Sequence, residues 1–340
     1  MSAGRAAPSL ALIFGPYTWP PMASCPETVL LASPRGYCAG VDRAVQTVER
    51  ALELYGPPVY VRKEIVHNKH VVAELRERGA IFVDSEEEVP EGSITVFSAH
   101  GVAPSVIEAA DRRRLRTIDA TCPLVTKVHV EARKFAAQGY TIVLVGHAGH
   151  EEVEGTMGEA PDRIVLIESV QDVDRLEVED PEKLAYISQT TLSVDETREI
   201  IHRLRERFPA IVGPRTDDIC YATTNRQAAV KELARECDLV LVIGSRNSSN
   251  SNRLVEVARE QGCPSHLIDH LEQVREEWLT DKRVVGITSG ASAPEQLVQR
   301  LVEFFRARGT REVRELEVVK EDVRFMLPKA IRQAMATASA

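Results

Sequence analysis

Aromatic residues are scarce, at 5% of the chain, and no apolar run comes near the roughly 20 residues needed to cross a bilayer. No two cysteines stand as Cys-x-x-Cys, so the zinc-ribbon and common ferredoxin spacings are missing. Six cysteines in 340 residues do not look like a disulfide framework. Positive charge is in deficit: 42 Lys and Arg against 51 Asp and Glu leave a net charge of −9. That balance argues against a nucleic acid held through its phosphates. A Gly-x-Gly-x-x-Gly fingerprint is also missing after the first apolar run; "PRGYCAG" stands there and carries a thiol instead, which disfavours a dinucleotide site. Residues 1–24 hold a short apolar patch, "LALIF", soon broken by Gly15, Pro16, Pro20 and Pro21, too short for a secretory signal. They are expected to form a loosely ordered extension, with Met22 as an alternative start. The expected location is cytoplasmic, with no membrane and no nucleic-acid partner.

What the sequence does hold is alternation. Apolar, β-branched runs such as "TVLLA", "PVYVR", "TIVLVG" and "DLVLVIG" alternate with helix-patterned stretches such as "KHVVAELRERG" and "QAAVKELAREC". Such alternation predicts α/β layers with mostly parallel sheets. Gly79, Gly139 and Gly262 stand where helices should end, since glycine accepts the left-handed conformation of that cap. The length suggests two or three domains.

One pattern occurs three times. Cys38, Cys122 and Cys220 each follow a short strand or turn and open a helix: "YCAGVDRAVQ", "TCPLVTKVHV", "ICYATTNRQA". His67 lies 29 residues after Cys38, His150 lies 28 after Cys122, and Ser248 lies 28 after Cys220. Further on, each repeat has a strand ending in small polar residues: "ITVFSAHGV", "LAYISQTTL", "VVGITSGAS". The repeat divides the chain into an extension over 1–24, three α/β units over 25–122, 123–216 and 217–304, and a segment over 305–340 expected to pack back on the first unit. Ligands of open parallel sheets collect at the carboxyl ends of strands. With three units about a pseudo-threefold axis and those ends inward, the three cysteines converge. Cys25, Cys237 and Cys263 have no counterparts and read as buried or incidental thiols.

Three thiolates from separate units suit either zinc with an open position or a 4Fe–4S cluster with one iron lacking a protein ligand. Spacing does not choose between them. Around them stands a shell of neutral donors: Asn247, Ser248, Ser249 and Asn250 in one loop, Ser292 in another, Thr190 and Thr191 in a third. Such loops at helix starts bind oxyanions. His67, His100 and His150 can add charge or protons, so the set suits a phosphate or diphosphate. In "GHAGHEEVEGTMG", which carries His147 and His150, the glycines argue for a loop rather than a zinc-binding helix. Glu152 or His150 is the candidate proton donor there.

The motifs "SPRGYCAGV", "FSAHGV", "DATCPLVTKVH", "GHAGHEEVEGTMG", "QTTLSVDET", "DDICYATTNRQ", "GSRNSSNSNRL" and "TSGASAPE" resemble those of the 4-hydroxy-3-methylbut-2-enyl diphosphate reductases. The resemblance runs from about residue 29 to 328; only Tyr37 departs from the first motif, where the family commonly has Phe. It implies three similar units around one central 4Fe–4S cluster per chain, held by Cys38, Cys122 and Cys220. It implies an allylic diphosphate bound by His67, His100, His150, Thr190, Ser248, Ser249, Asn250 and Ser292, and proton delivery from Glu152 supported by Thr190. The implied reaction is reductive dehydroxylation to isopentenyl and dimethylallyl diphosphate, the last step of the non-mevalonate isoprenoid pathway. The electron donor would be a ferredoxin or flavodoxin. Two other readings stand beside it: a zinc hydrolase of a phosphorylated metabolite, and an iron–sulfur protein without catalysis.

Overall fold

The structure, a computed structural model, describes residues 25–338. The extension expected over 1–24 and the start at Met22 lie outside them. The chain opens with β1 (Thr28–Ser33) and then builds a first group: α1 (Ala39–Tyr55), β2 (Val59–Arg62), α2 (Lys69–Glu77), β3 (Ala80–Val83), β4 (Ile94–Phe97), α3 (Pro104–Arg112) and β5 (Arg116–Asp119). A second group follows: α4 (Pro123–Ala137), β6 (Thr141–Val145), α5 (Glu151–Met157), β7 (Ile164–Ile167), α6 (Val170–Arg175), β8 (Leu184–Ser188) and α7 (Val194–Arg207). The third holds α8 (Tyr221–Glu236), β9 (Leu239–Ile243), α9 (Ser249–Glu260), β10 (Ser265–Ile268), α10 (Glu276–Leu279), β11 (Val284–Ser289), α11 (Glu295–Ala307) and β12 (Glu312–Glu317), before α12 (Lys329–Ala338).

These strands form three sheets, ordered β3-β2-β4-β5, β7-β6-β8 and β10-β9-β11-β1-β12. Neighbouring strands in all three run parallel. Parallel sheets covered on both faces need continuous apolar strands, and "LVLVI" of β9 and "LAYIS" of β8 are buried at every position. Gly79, Gly139 and Gly262 end their helices with φ of +102°, +80° and +81°.

The sheets are not cut where the repeat was. β1, placed at the head of the first unit by the division at residue 25, pairs with β11 and β12 in the third sheet. The physical reason is a shift of phase. β5 ends the first sheet and leads to Cys122; an isolated parallel bridge from Ala185 to Val212 extends the second sheet and leads towards Cys220. β1 plays the same part for the third sheet and leads to Cys38. Each cysteine therefore sits at a junction, after a strand at or next to the edge of one sheet and before the first helix of the next group. The C-terminal segment divides in the same way. β12 joins the third sheet, while α12 lies on α1 and buries Ile331 fully in the first core.

Among the described residues no helix is long and apolar enough to cross a membrane.

Candidate active site

Each of the three cysteines is the N-cap of a helix: Cys38 of α1, Cys122 of α4 and Cys220 of α8. The cap residue meets the unsatisfied N–H groups and positive end of the helix dipole, a setting that favours thiolate. Cys220 uses it directly, its Sγ accepting the Thr223 N–H at 3.4 Å. Burial works against it. Burial first, then the neighbouring Cys38, pushes the Cys122 thiol up to about 12, although the N–H groups of Leu124 and Val125 pull the other way. Burial and Cys38 push Cys220 up to about 11. Two thiols that resist ionisation, beside the third thiol of Cys38, are a donor set that a bound cation would stabilise.

The backbone leaves room between them. A Cβ on Gly40 would stand 2.7 Å from the Cys122 sulfur and 3.8 Å from that of Cys38. Gly36, two residues before Cys38, has φ +67° and carries the chain through its turn. Tyr37 packs its ring against the first core, and burial raises its phenol.

All three thiols open onto one cleft of about 680 Å³, its mouth included. The same cleft is lined by His67, His100 and His150, by Glu152 and Thr190, and by Ser248, Ser249, Asn250 and Ser292. The fold thus brings together the three cysteines and every residue that the resemblance implies for substrate binding and proton delivery, whereas His147 and Asn247 do not line the cleft. The lining residues arrive from the carboxyl ends of strands in all three sheets.

Glu152 is the most constrained of them. It is 2% exposed, on the first turn of α5. Its Oε1 accepts the Thr190 backbone N–H at 2.6 Å and its Oε2 accepts the Thr190 hydroxyl at 3.0 Å. Burial pushes its carboxyl up to about 7, against the pull of those two hydrogen bonds. A carboxyl poised there exchanges protons at neutral pH.

The segment expected as a loop, "GHAGHEEVEGTMG", is helical from Glu151 to Met157, with His150 as its N-cap. The glycines do not prevent this. Gly149 carries the turn before the cap at φ +76°, and Gly155 allows α5 to approach Gly101 and His129 closely. His150 Nδ1 accepts the Glu152 N–H at 3.1 Å. Burial, with His100 and His67 nearby, pushes its ring down to about 3. It is therefore neutral at pH 7, with its proton on Nε2 as a hydrogen-bond donor. His147 points away, to Arg253 at 2.8 Å and Glu168 at 3.5 Å.

His67 and His100 stack with ring centroids 4.0 Å apart. His100 Nδ1 lies 3.0 Å from Glu151 Oε2, and His67 Nδ1 lies 3.4 Å from Glu64 Oε2. Burial and the adjacent His100 lower the His67 ring. Its hydrogen bond to His67 holds the Glu64 carboxyl below its ordinary range, and Glu151 is lowered as well: burial, the largest single influence, raises it, but His100, His67 and Lys63 together outweigh burial. Neither carboxylate was assigned a site role from the sequence, since nothing local shows which histidine it will meet. Asn247, grouped with the donor shell, donates to Glu64 at 2.7 Å.

The hydroxyls of Ser249 and Ser292 donate to the carbonyls of Thr191 and His67, at 3.0 and 2.9 Å. Asn250 Oδ1 accepts the Ala291 N–H at 2.9 Å, tying its loop to the one beside it. Thr223 also lines the cleft, with its hydroxyl 3.2 Å from Cys220 Sγ. The sequence carried a signal for it: it stands three residues after a helix-opening cysteine, where a cap makes its contact.

The profile of the LytB protein family matches residues 29–306 of this sequence. The chain belongs to the LytB protein family. A LytB relative from Acidothermus cellulolyticus, named 4-hydroxy-3-methylbut-2-enyl diphosphate reductase, is 60% identical over 308 residues, 90% of this chain and 91% of its own length. One of the same name from Mycolicibacterium paratuberculosis is 61% identical over 309 residues, 91% of this chain and 93% of its own. The solved LytB structure of the E-1-hydroxy-2-methyl-but-2-enyl-4-diphosphate reductase from Plasmodium falciparum superposes with a TM-score of 0.90 at 38% identity, covering 93% of this chain and all of that one.

Proposed function

We propose that this chain is a 4-hydroxy-3-methylbut-2-enyl diphosphate reductase that converts (E)-4-hydroxy-3-methylbut-2-enyl diphosphate to isopentenyl and dimethylallyl diphosphate. Two electrons and two protons enter, and the allylic hydroxyl leaves as water. The observation that carries the reading is Glu152: a buried carboxyl held by Thr190 in the same cleft as three converging thiols. A family of reductases supplies the reaction class, and the residues supply the roles.

Cys38, Cys122 and Cys220 would hold one 4Fe–4S cluster. Spacing supports it over zinc. Among the described residues, the set whose ligating atoms all lie within 4.8 Å of one another is His67, His100 and Glu151; the three thiols are not such a set. Tetrahedral zinc with Zn–S near 2.3 Å would hold its sulfurs about 3.8 Å apart. When bound, the cluster supplies the electrons and an iron, free of protein ligands, for the substrate's hydroxyl.

The chain's own groups do the rest. His67, His100 and the Nε2–H of neutral His150 receive the diphosphate, with Ser248, Ser249, Asn250 and Ser292 around it. Ser249 and Ser292 must turn their hydroxyls from the carbonyls of Thr191 and His67 to phosphate oxygens, a rotation of the side chain alone. Glu152 gives its proton to the departing oxygen, and Thr190 fixes the direction in which it points. A second proton ends on one of two allylic carbons. We read the three sheets as three units that close about the substrate, in the cytoplasm, with a ferredoxin or flavodoxin as electron donor.

The test is anaerobic reconstitution followed by assay with the diphosphate, dithionite and a mediator. A brown protein with four irons and four sulfides per chain that releases both isoprenoid diphosphates supports the reading. A colourless zinc protein, or an iron–sulfur protein that leaves the diphosphate intact, overturns it.

A further inference from the structure

The helices that open on the three cysteines share a feature beyond their caps. Each carries a cation five or six residues after its cysteine: Arg43 on α1, Lys127 on α4 and Arg226 on α8. Each cation reaches out of its own helix into the turn that precedes the next cysteine. Arg43 Nη1 donates to the carbonyls of Ala120 and Thr121, both at 2.9 Å, just before Cys122. Lys127 Nζ donates to the carbonyls of Thr216 and Asp217 at 2.6 and 3.1 Å, and to Asp218 Oδ1 at 2.8 Å, just before Cys220. Arg226 Nη2 and Nε donate to the carbonyl of Gly36 at 2.7 and 3.2 Å, just before Cys38.

The three contacts run in one direction and close a circle: first helix to second turn, second to third, third back to first. They cross the junctions between sheets, where, among the described residues, no strand pairing holds the groups together. The C-terminal segment adds two ties. Arg43 Nε donates to the Met326 carbonyl at 2.8 Å, and Arg226, wholly buried, pairs with Glu321 at 3.0 Å. A cation bonded to two or three carbonyls fixes both distance and direction, which a packed apolar side chain does not.

We infer that Arg43, Lys127 and Arg226 form a ring of positioning residues that sets the spacing of the three thiols and places positive charge beside the group they hold. The inference rests on the cluster reading above. A 4Fe–4S cluster on three thiolates is negative and becomes more so on reduction, so nearby cations favour the reduced form. The ring therefore acts on cluster retention and on potential alike.

The test uses the full chain, reconstituted anaerobically, as wild type, Lys127→Gln, Lys127→Arg and Arg43→Gln. Two quantities are read: iron release to a ferrous chelator and the midpoint potential. Lys127→Gln should release iron about tenfold faster, the loss of one charge-assisted contact. Its potential should fall, because a positive charge is gone and Asp218 loses its Lys127 partner while keeping the hydrogen bond from the Ser188 N–H. Lys127→Arg should restore both, which a loosened fold would not. If Lys127→Gln fails to fold, Arg43→Gln gives the same two readings. Glutamine variants that hold four irons as long as wild type, at the same potential, overturn the ring. A wild-type chain that takes up no iron and sulfide overturns the cluster reading itself, before any variant is made.

Discussion

Thr190 holds both oxygens of Glu152, one through its backbone N–H at 2.6 Å and the other through its hydroxyl at 3.0 Å. The two residues stand 38 positions apart, at the start of α5 and just past β8. The pair decides which way a buried proton points and at what pH it is present.

Glu152→Gln should keep the shape and the Thr190 N–H contact while removing the transferable proton. Turnover should fall by about 10²–10⁴-fold, the usual worth of a positioned acid. Substrate affinity, measured by calorimetry on the holoenzyme, should change little. Turnover within a factor of two of wild type would remove Glu152 from the proton path.

The carboxyl sits at about 7 because burial raises it. An acid must be protonated to donate, so kcat should decline as pH rises through that value. Thr190→Val deletes the hydroxyl that stabilises the carboxylate and leaves the N–H in place. The declining limb of kcat against pH should then move upward. A downward or absent shift would show that the hydroxyl does not act on this carboxyl.

The same shift has a cost in the apoprotein. With a carboxyl raised from 4.5 to about 7, stability is intact below pH 4.5 and is lost as pH rises to 7. Apoprotein carrying Glu152→Gln should therefore be more stable than wild type above pH 7, by up to ~3 kcal/mol at 1.36 kcal/mol per pKa unit. Below pH 4.5 the two should unfold alike. Urea titrations at pH 4 and pH 8 would show it.

Gly40→Ala separates the fold from the thiol site. The position lies in α1 and has no positive φ, so the helix accepts alanine. Its Cβ would meet Cys122 Sγ at 2.7 Å, and the sulfur must leave its rotamer. Thermal unfolding of the apoprotein should be unchanged or slightly raised, while iron and sulfide uptake falls. Normal uptake would mean that the cleft is not the cluster's seat.

Much of this was legible along the chain. The three helix-opening cysteines, the glycines at Gly79, Gly139 and Gly262, and the polar strand ends are local features, and the repeat made them visible. The phase of the sheets was not. β1 reads as the natural first strand of the first unit, yet it pairs with strands more than 250 residues away. Strand pairing is a long-range choice that an apolar run of five or six residues does not encode. The helix over Glu151–Met157 was hidden by its glycines, whose effect depends on what packs against them.

Sequence by itself determined the chemistry available: three equivalent thiols, a set of histidines and hydroxyls, and a motif that carries the Glu152 carboxylate. Residue type and spacing along the chain are enough for that. Only the tertiary structure decided how strongly Glu152 holds its proton, which carboxylates meet His67 and His100, and that Arg43, Lys127 and Arg226 each reach the next cysteine's turn. Burial, and contact between residues far apart in the chain, exist only once the sheets have closed on one another.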